Sequence, residues 1–153
     1  MRKAIVALAA VLALSASAIE RPPLAVGFTY DHASEYHQNG FGLKLQACVG
    51  SHFRLEPEMI YCTENLDVTT LHLNLNVQYV MPIARRLDIY PYVGLSYSHW
   101  GYEGPNVNRW GANLGAGIEF DLGRSWSVLA ELRLQPVKSE TQLLTIAGLK
   151  YSF

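Results

Sequence analysis

The chain is poor in charge and, past its first segment, has no long apolar run. Asp, Glu, Lys and Arg make up 16% of the 153 residues, while 50% are hydrophobic. No stretch of about eighteen consecutive apolar residues occurs, which argues against a membrane-crossing helix. A cationic excess is also missing. Twelve Lys and Arg face thirteen Asp and Glu, so there is no basic surface for nucleic acid. Two cysteines are too few for a disulfide scaffold or a cysteine-based zinc site. The hydrophobic half of the composition is dispersed, and its spacing carries the information.

Residues 1–18 read as an export signal. Arg2 and Lys3 form a basic start, Ala4 to Leu14 an apolar core, and Ala16 and Ala18 the small residues of a cleavage site after Ala18. Position 19 is Ile, not Cys, so a lipid anchor is not expected there. The remaining residues, 19–153, have the length of one domain. Without Arg2 and Lys3 the balance is ten basic to thirteen acidic residues.

Eight segments of that domain alternate with a period of two, which sends successive side chains to opposite faces of a strand. Leu71 to Met81 is the clearest. Leu71, Leu73, Leu75, Val77, Tyr79 and Met81 face one way, and His72, Asn74, Asn76 and Gln78 the other. The others are Leu24–Tyr30, Phe41–Val49, Phe53–Tyr61, Leu87–Tyr97, Trp110–Phe120, Trp126–Leu134 and Leu143–Phe153. No charge falls on the apolar face. The opposite face and the strand ends hold Asp31, Lys44, Arg54, Glu56, Glu58, Asp88, Glu119, Glu131, Arg133 and Lys150.

A soluble β-sandwich would alternate in the same way, so the aromatics and the termini must decide which face is outside. Tyr30, Phe41, Tyr61, Tyr97 and Trp110 lie at one end of the apolar face. Phe53, Tyr79, Phe120, Trp126, Tyr151 and Phe153 lie at the other, with aliphatic residues between. Two aromatic girdles around an aliphatic band are the pattern of a transmembrane barrel. The expected fold is therefore all-β: an eight-stranded, antiparallel, up-and-down transmembrane β-barrel, closed because lipid cannot satisfy an open strand edge. Turns at 50–52, 82–86 and 121–125 are expected on the periplasmic side. Longer connections at 31–40, 62–70, 98–109 and 135–142 are expected outside. On this reading an arginine at Leu75 should be costly and one at Asn76 mild.

These residues resemble the small eight-stranded outer-membrane barrel family that includes OmpX and the OmpA barrel domain. The resemblance covers residues 19–153. It rests on the alternating hairpins, on Leu73–Tyr79, on Asn113–Phe120 and on the ending Gly148-Leu149-Lys150-Tyr151-Ser152-Phe153. It implies an integral protein of the outer membrane of a Gram-negative cell. Its partners would be outer-membrane lipids and, during biogenesis, periplasmic chaperones and the barrel assembly machinery, which would read Leu149, Tyr151 and Phe153. Members include structural proteins, adhesins, small pores and lipid-modifying enzymes, so the family does not choose an activity. Pro57 and Pro91 depart from a plain strand pattern and predict a bulge or a shifted register.

An eight-stranded barrel is just wide enough for its inward side chains to fill it. Lys44, Arg54, Glu56, Glu58, Glu119, Glu131, Arg133 and Lys150 are expected to form an ion network that plugs the lumen, with a narrow polar pore as the alternative. Glu56 and Glu58 share a face and read as members of that network rather than as a catalytic acid pair. If Val49 faces Phe53, then Cys48 faces Arg54 and Cys62 faces Gly40. That puts the thiols eight positions apart, about 26 Å at strand rise, against the roughly 7 Å between Cα atoms that a disulfide spans at most. Two free thiols are expected.

Asp31, His32, Glu35 and His37 are metal-ligand types, but their spacing matches no standard zinc pattern. No metal or cofactor is expected. Ser98, His99 and Trp100 invite comparison with the lipid A deacylase PagL, whose pattern carries a His and then a Ser two residues on. Here Trp100 and Gly101 follow His99, and Ser98 would point to the opposite face. The expected role is non-catalytic: envelope support or surface interaction. Tyr36, Trp100, Tyr102 and Arg109 are the candidates for contact with an unknown extracellular ligand.

Overall fold

The computed structural model describes residues 23–34, 38–63, 69–101, 107–137 and 140–153. The signal segment, Glu35, Tyr36, His37 and Tyr102 lie outside them. The strands are β1 (Leu24–Ala33), β2 (Gln38–Val49), β3 (Phe53–Thr63), β4 (Thr69–Tyr79), β5 (Met81–Ala84), β6 (Leu87–Gly101), β7 (Val107–Gly123), β8 (Trp126–Val137) and β9 (Glu140–Ser152). Apart from β4 and β5, strands consecutive in sequence pair antiparallel. β1 pairs with β9 and β4 with β6, which closes the sheet. Short β5 continues the path of β4, so the barrel has eight staves.

Closure turns the usual soluble arrangement inside out. Leu95 is 61% exposed on the outside, while Lys44 and Arg133 inside are 0% exposed. A continuous outward belt that includes Leu43, Leu73, Val93, Leu114 and Leu132 is exposed, far more apolar surface than a soluble domain leaves to water. Hydrocarbon is the solvent that such a wall suits.

The register matches the expected one at the cysteine hairpin: Val49 faces Phe53, Cys48 faces Arg54 and Cys62 faces Gly40. Both thiols are free of disulfide. Neither proline shifts the register, contrary to expectation. The β2–β3 register is the same on either side of Pro57, and Pro57 stays in step with Leu75 on β4. Pro91 keeps step with Ala116 on β7. Its effect is on the other side, where β4 and β5 are interrupted at Val80, because a proline has no N–H to give that ladder. On the β3 side the ladder continues, the Val80 N–H donating to the His52 carbonyl at 2.7 Å. The register shifts that do occur lie at the short turns, between Pro82 and Ala84 and between Asp121 and Gly123.

The connections are tighter than the sequence suggested. The segment 31–40 was expected as a loop, yet Asp31, His32 and Ala33 pair with Gly40, Asn39 and Gln38. Likewise β6 and β7 run together up to Trp100 and Val107. Polar hairpin tips carry no apolar signal, but backbone pairing continues into them. At the other end the turns are the three residues 50–52 and the pairs Arg85-Arg86 and Arg124-Ser125.

Candidate functional site

The interior is the only part of a barrel wall where polar chemistry can collect, and here it is filled. β2, β3 and β8 bring Lys44, Glu56, Glu58, Glu131 and Arg133 to one level. Lys44 Nζ lies 2.7 Å from Glu131 Oε1, 3.3 Å from Glu58 Oε1 and 3.4 Å from Glu56 Oε1. Arg133 binds Glu58 Oε2 through Nη1 at 2.8 Å, and its Nη2 is 3.5 Å from Glu131 Oε2. Gln46 and Asn76 donate to Glu56 at 2.6 and 3.3 Å, and Asn74 donates to Glu58 at 2.9 Å. Full burial of these charges is tolerable because each has partners.

Two tyrosines complete the plug. Tyr90 donates to Glu131 Oε1 at 2.9 Å and Tyr92 to Glu131 Oε2 at 3.3 Å. Arg133 Nε donates to the Tyr92 hydroxyl at 3.1 Å. Their rings lie over Gly117 and Gly115, their cross-strand partners on β7. A Cβ at Gly115 would stand 2.4 Å from Tyr92 Cζ, and one at Gly117 would stand 2.4 Å from Tyr90 Cζ. The glycine run of β7 is thus the space into which two aromatic rings pack.

Nearer the short turns, Glu119 accepts from Arg54 Nη1 at 2.8 Å and from Lys150. Arg54 Nε donates to Gln78 at 2.6 Å, and the guanidinium sits 4.8 Å from the centre of the Tyr90 ring. This second group floors a cavity of about 440 Å³ that opens among the three turns.

All eight lumen residues named from sequence point inward, and Asp31 does too. Tyr90 and Tyr92 were not singled out. Their parity with Asp88 and the facing Gly115 and Gly117 were the available signal.

At the long-loop end, Ser98 and His99 point to opposite faces as expected. Buried Ser98 Oγ is 2.7 Å from His72 Nδ1 inside the barrel. His99 faces outward, its Nδ1 2.8 Å from Asn108 Oδ1. His32 makes the same contact with Asn39 at 2.8 Å. Asp31 turns inward to Thr29, so it and His32 do not converge on a metal. Among the described residues no cluster of three metal-ligating side chains occurs.

The aromatics assigned to the girdles lie on the outer face. Tyr30 and Phe41 pack edge to face at 5.6 Å, and Tyr97 and Trp110 meet at 5.0 Å. At the other rim, Phe53–Tyr79, Trp126–Tyr151 and Tyr151–Phe153 pack at 5.3, 5.1 and 5.3 Å. Phe120 is exposed among them. Phe28 stacks beneath Phe41 at 6.0 Å and brings an aromatic into the otherwise aliphatic band.

An apolar outer wall, a charged and filled interior and a closed hydrogen-bond ladder define a transmembrane β-barrel. Residues 4–153 match the family model described as the outer membrane protein beta-barrel domain, and the chain belongs to that family. The fold is shared with the N-terminal barrel domain of Pseudomonas aeruginosa OprF at a TM-score of 0.75 and 14% identity, over 87% of this chain and 98% of that one. It is shared with Ail, the attachment invasion locus protein of Yersinia pestis, at 0.59 and 14%, over 85% and 96%. A de novo designed transmembrane barrel matches at 0.61 and 14%, over 88% and 98%. At these identities the likeness carries the fold alone. No curated protein matches the sequence.

Proposed function

We propose that this chain is a non-catalytic barrel of the Gram-negative outer membrane that supports the envelope and presents its long-loop end to the exterior. The carrying observation is the plug: Lys44, Glu58, Glu131 and Arg133, with side chains no more than 1% exposed, cross-link β2, β3 and β8 through the centre of the lumen. A conducting pore would have to break several of these contacts at once. A lipid-facing hydrolase would need an accessible nucleophile beside its base. Ser98 and His72 are instead buried in the interior, and His99 is matched to an asparagine. On this reading the short turns face the periplasm, the rim aromatics set depth in the bilayer, and Leu149, Tyr151 and Phe153 direct assembly. An extracellular ligand would meet Trp100, Arg109 and the loop residues Tyr36 and Tyr102.

Two measurements test it together. Lipid A mass spectra from cells with and without the protein should be identical, and purified protein should leave a planar bilayer electrically silent. Altered acyl content would mean an enzyme. Discrete conductance steps would favour the alternative of a narrow passive pore.

A further inference from the structure

The cavity at the short-turn end has chemistry that the plug does not use. Five Arg and Lys residues line it against three Asp and Glu, although the whole chain has a net charge of −1. On its floor one carboxylate, Glu119, serves two cations, Arg54 and Lys150. Arg54 is 4% exposed, yet its Nη2 has no hydrogen-bond partner among the described residues. A buried guanidinium with an unused donor is expensive. Three more guanidiniums, of Arg85, Arg86 and Arg124, stand on the turns at the mouth.

The turn carrying Arg124 adds an independent mark. Arg124 and Ser125 have φ values of 54° and 70°. A two-residue turn with both central residues at positive φ prefers Asn-Gly or Gly-Gly. Holding an arginine there costs conformational energy, and the strained turn lines the cavity.

We propose that this vestibule is a binding site for a soluble doubly charged oxyanion, a phosphate or phosphomonoester, entering from the turn side. The Arg54 and Lys150 floor would take one face of the anion and the turn arginines the other. Guanidinium forks match the paired oxygens of such groups. The side of the membrane from which it enters rests on the orientation given above, but binding itself does not.

Cys48 lines the same cavity and provides a reporter, while buried Cys62 lies elsewhere and serves as the internal control. The full barrel in nanodiscs of zwitterionic lipid would be titrated with inorganic phosphate by calorimetry, and Cys48 alkylation followed by peptide mass spectrometry. At phosphate about ten times its dissociation constant, mass action leaves roughly a tenth of the sites open, so Cys48 should react about tenfold more slowly. Cys62 should be unaffected. Arg85→Gln with Arg124→Gln should abolish the heat and the protection without changing the melting profile of the barrel. Arg54→Gln, if it folds, should do the same. No heat with wild-type protein, equal protection by chloride at matched ionic strength, or protection only in discs containing anionic lipid would each overturn the proposal. Because binding is read without conductance or lipid chemistry, a conducting lumen would refute the structural role and leave this site standing.

Discussion

Glu131 is the residue on which the interior turns. It accepts from Lys44, Tyr90 and Tyr92 and lies beside Arg133. Removing its carboxylate takes from Lys44 its shortest ion pair and leaves the buried Tyr90 and Tyr92 hydroxyls without their acceptor. Glu131→Ala is therefore expected to cost about 3–5 kcal/mol in urea unfolding from lipid vesicles. A loss below about 1 kcal/mol, the worth of an exposed pair, would mean that water reaches the network. Which residues line the lumen was readable in the sequence, since parity alone assigns an inward face to Lys44, Glu58 and Glu131. The partner of each was not. Arg133 meets Glu58 because β3 and β8 face each other across the closed barrel, and no local pattern encodes that distance. For the same reason Asn76 is no tolerant site. It is fully buried between Glu56 and Asn113, so an arginine there would overpack the plug.

At the scale of strands, the alternation identified all eight staves, and the β2–β3 register followed from one turn. The ends were harder. β1 reaches Ala33 and β6 reaches Gly101, because backbone pairing carries polar tips such as His32 and Asn39 that show no apolar period. Pro91 was visible as an anomaly, but its consequence depends on which neighbouring strand it faces with its missing N–H. The two faces of a strand differ most at the middle of the belt. Leu75→Arg should cost about 2–4 kcal/mol if it lies near the bilayer midplane. Ser127→Arg, inward and beside the open vestibule, should cost much less. Equal losses in folding titrations into vesicles would show that Leu75 does not face lipid.

For the whole molecule, the hydrophobic effect acts through the outer wall and electrostatics through the interior, the reverse of a soluble domain. Phe153 is 69% exposed, packs on Tyr151 and donates its N–H to Leu24 at 2.9 Å, beside the β1–β9 seam. Deleting Phe153 should reduce the amount of protein reaching the outer membrane while export to the periplasm continues, as fractionation would show. Undiminished assembly would remove the role given to this residue. The family and the membrane were legible from alternation and aromatics. The vestibule was not, because it is assembled from three turns far apart in sequence.

Gly115 and Gly117 carry a last implication. Each is the hollow into which a tyrosine of the neighbouring strand is cast, so neither member of a pair is free to vary alone. A methyl group at Gly117 should be damaging beside Tyr90 and far less so beside a small residue, with the double change milder than the two single losses combined, whereas one at Gly115 would still stand 2.6 Å from the Leu132 carbonyl oxygen. Heredity would then see Gly117 with Tyr90 as one character rather than two, and Gly115 as fixed by the backbone of β8 as well as by Tyr92.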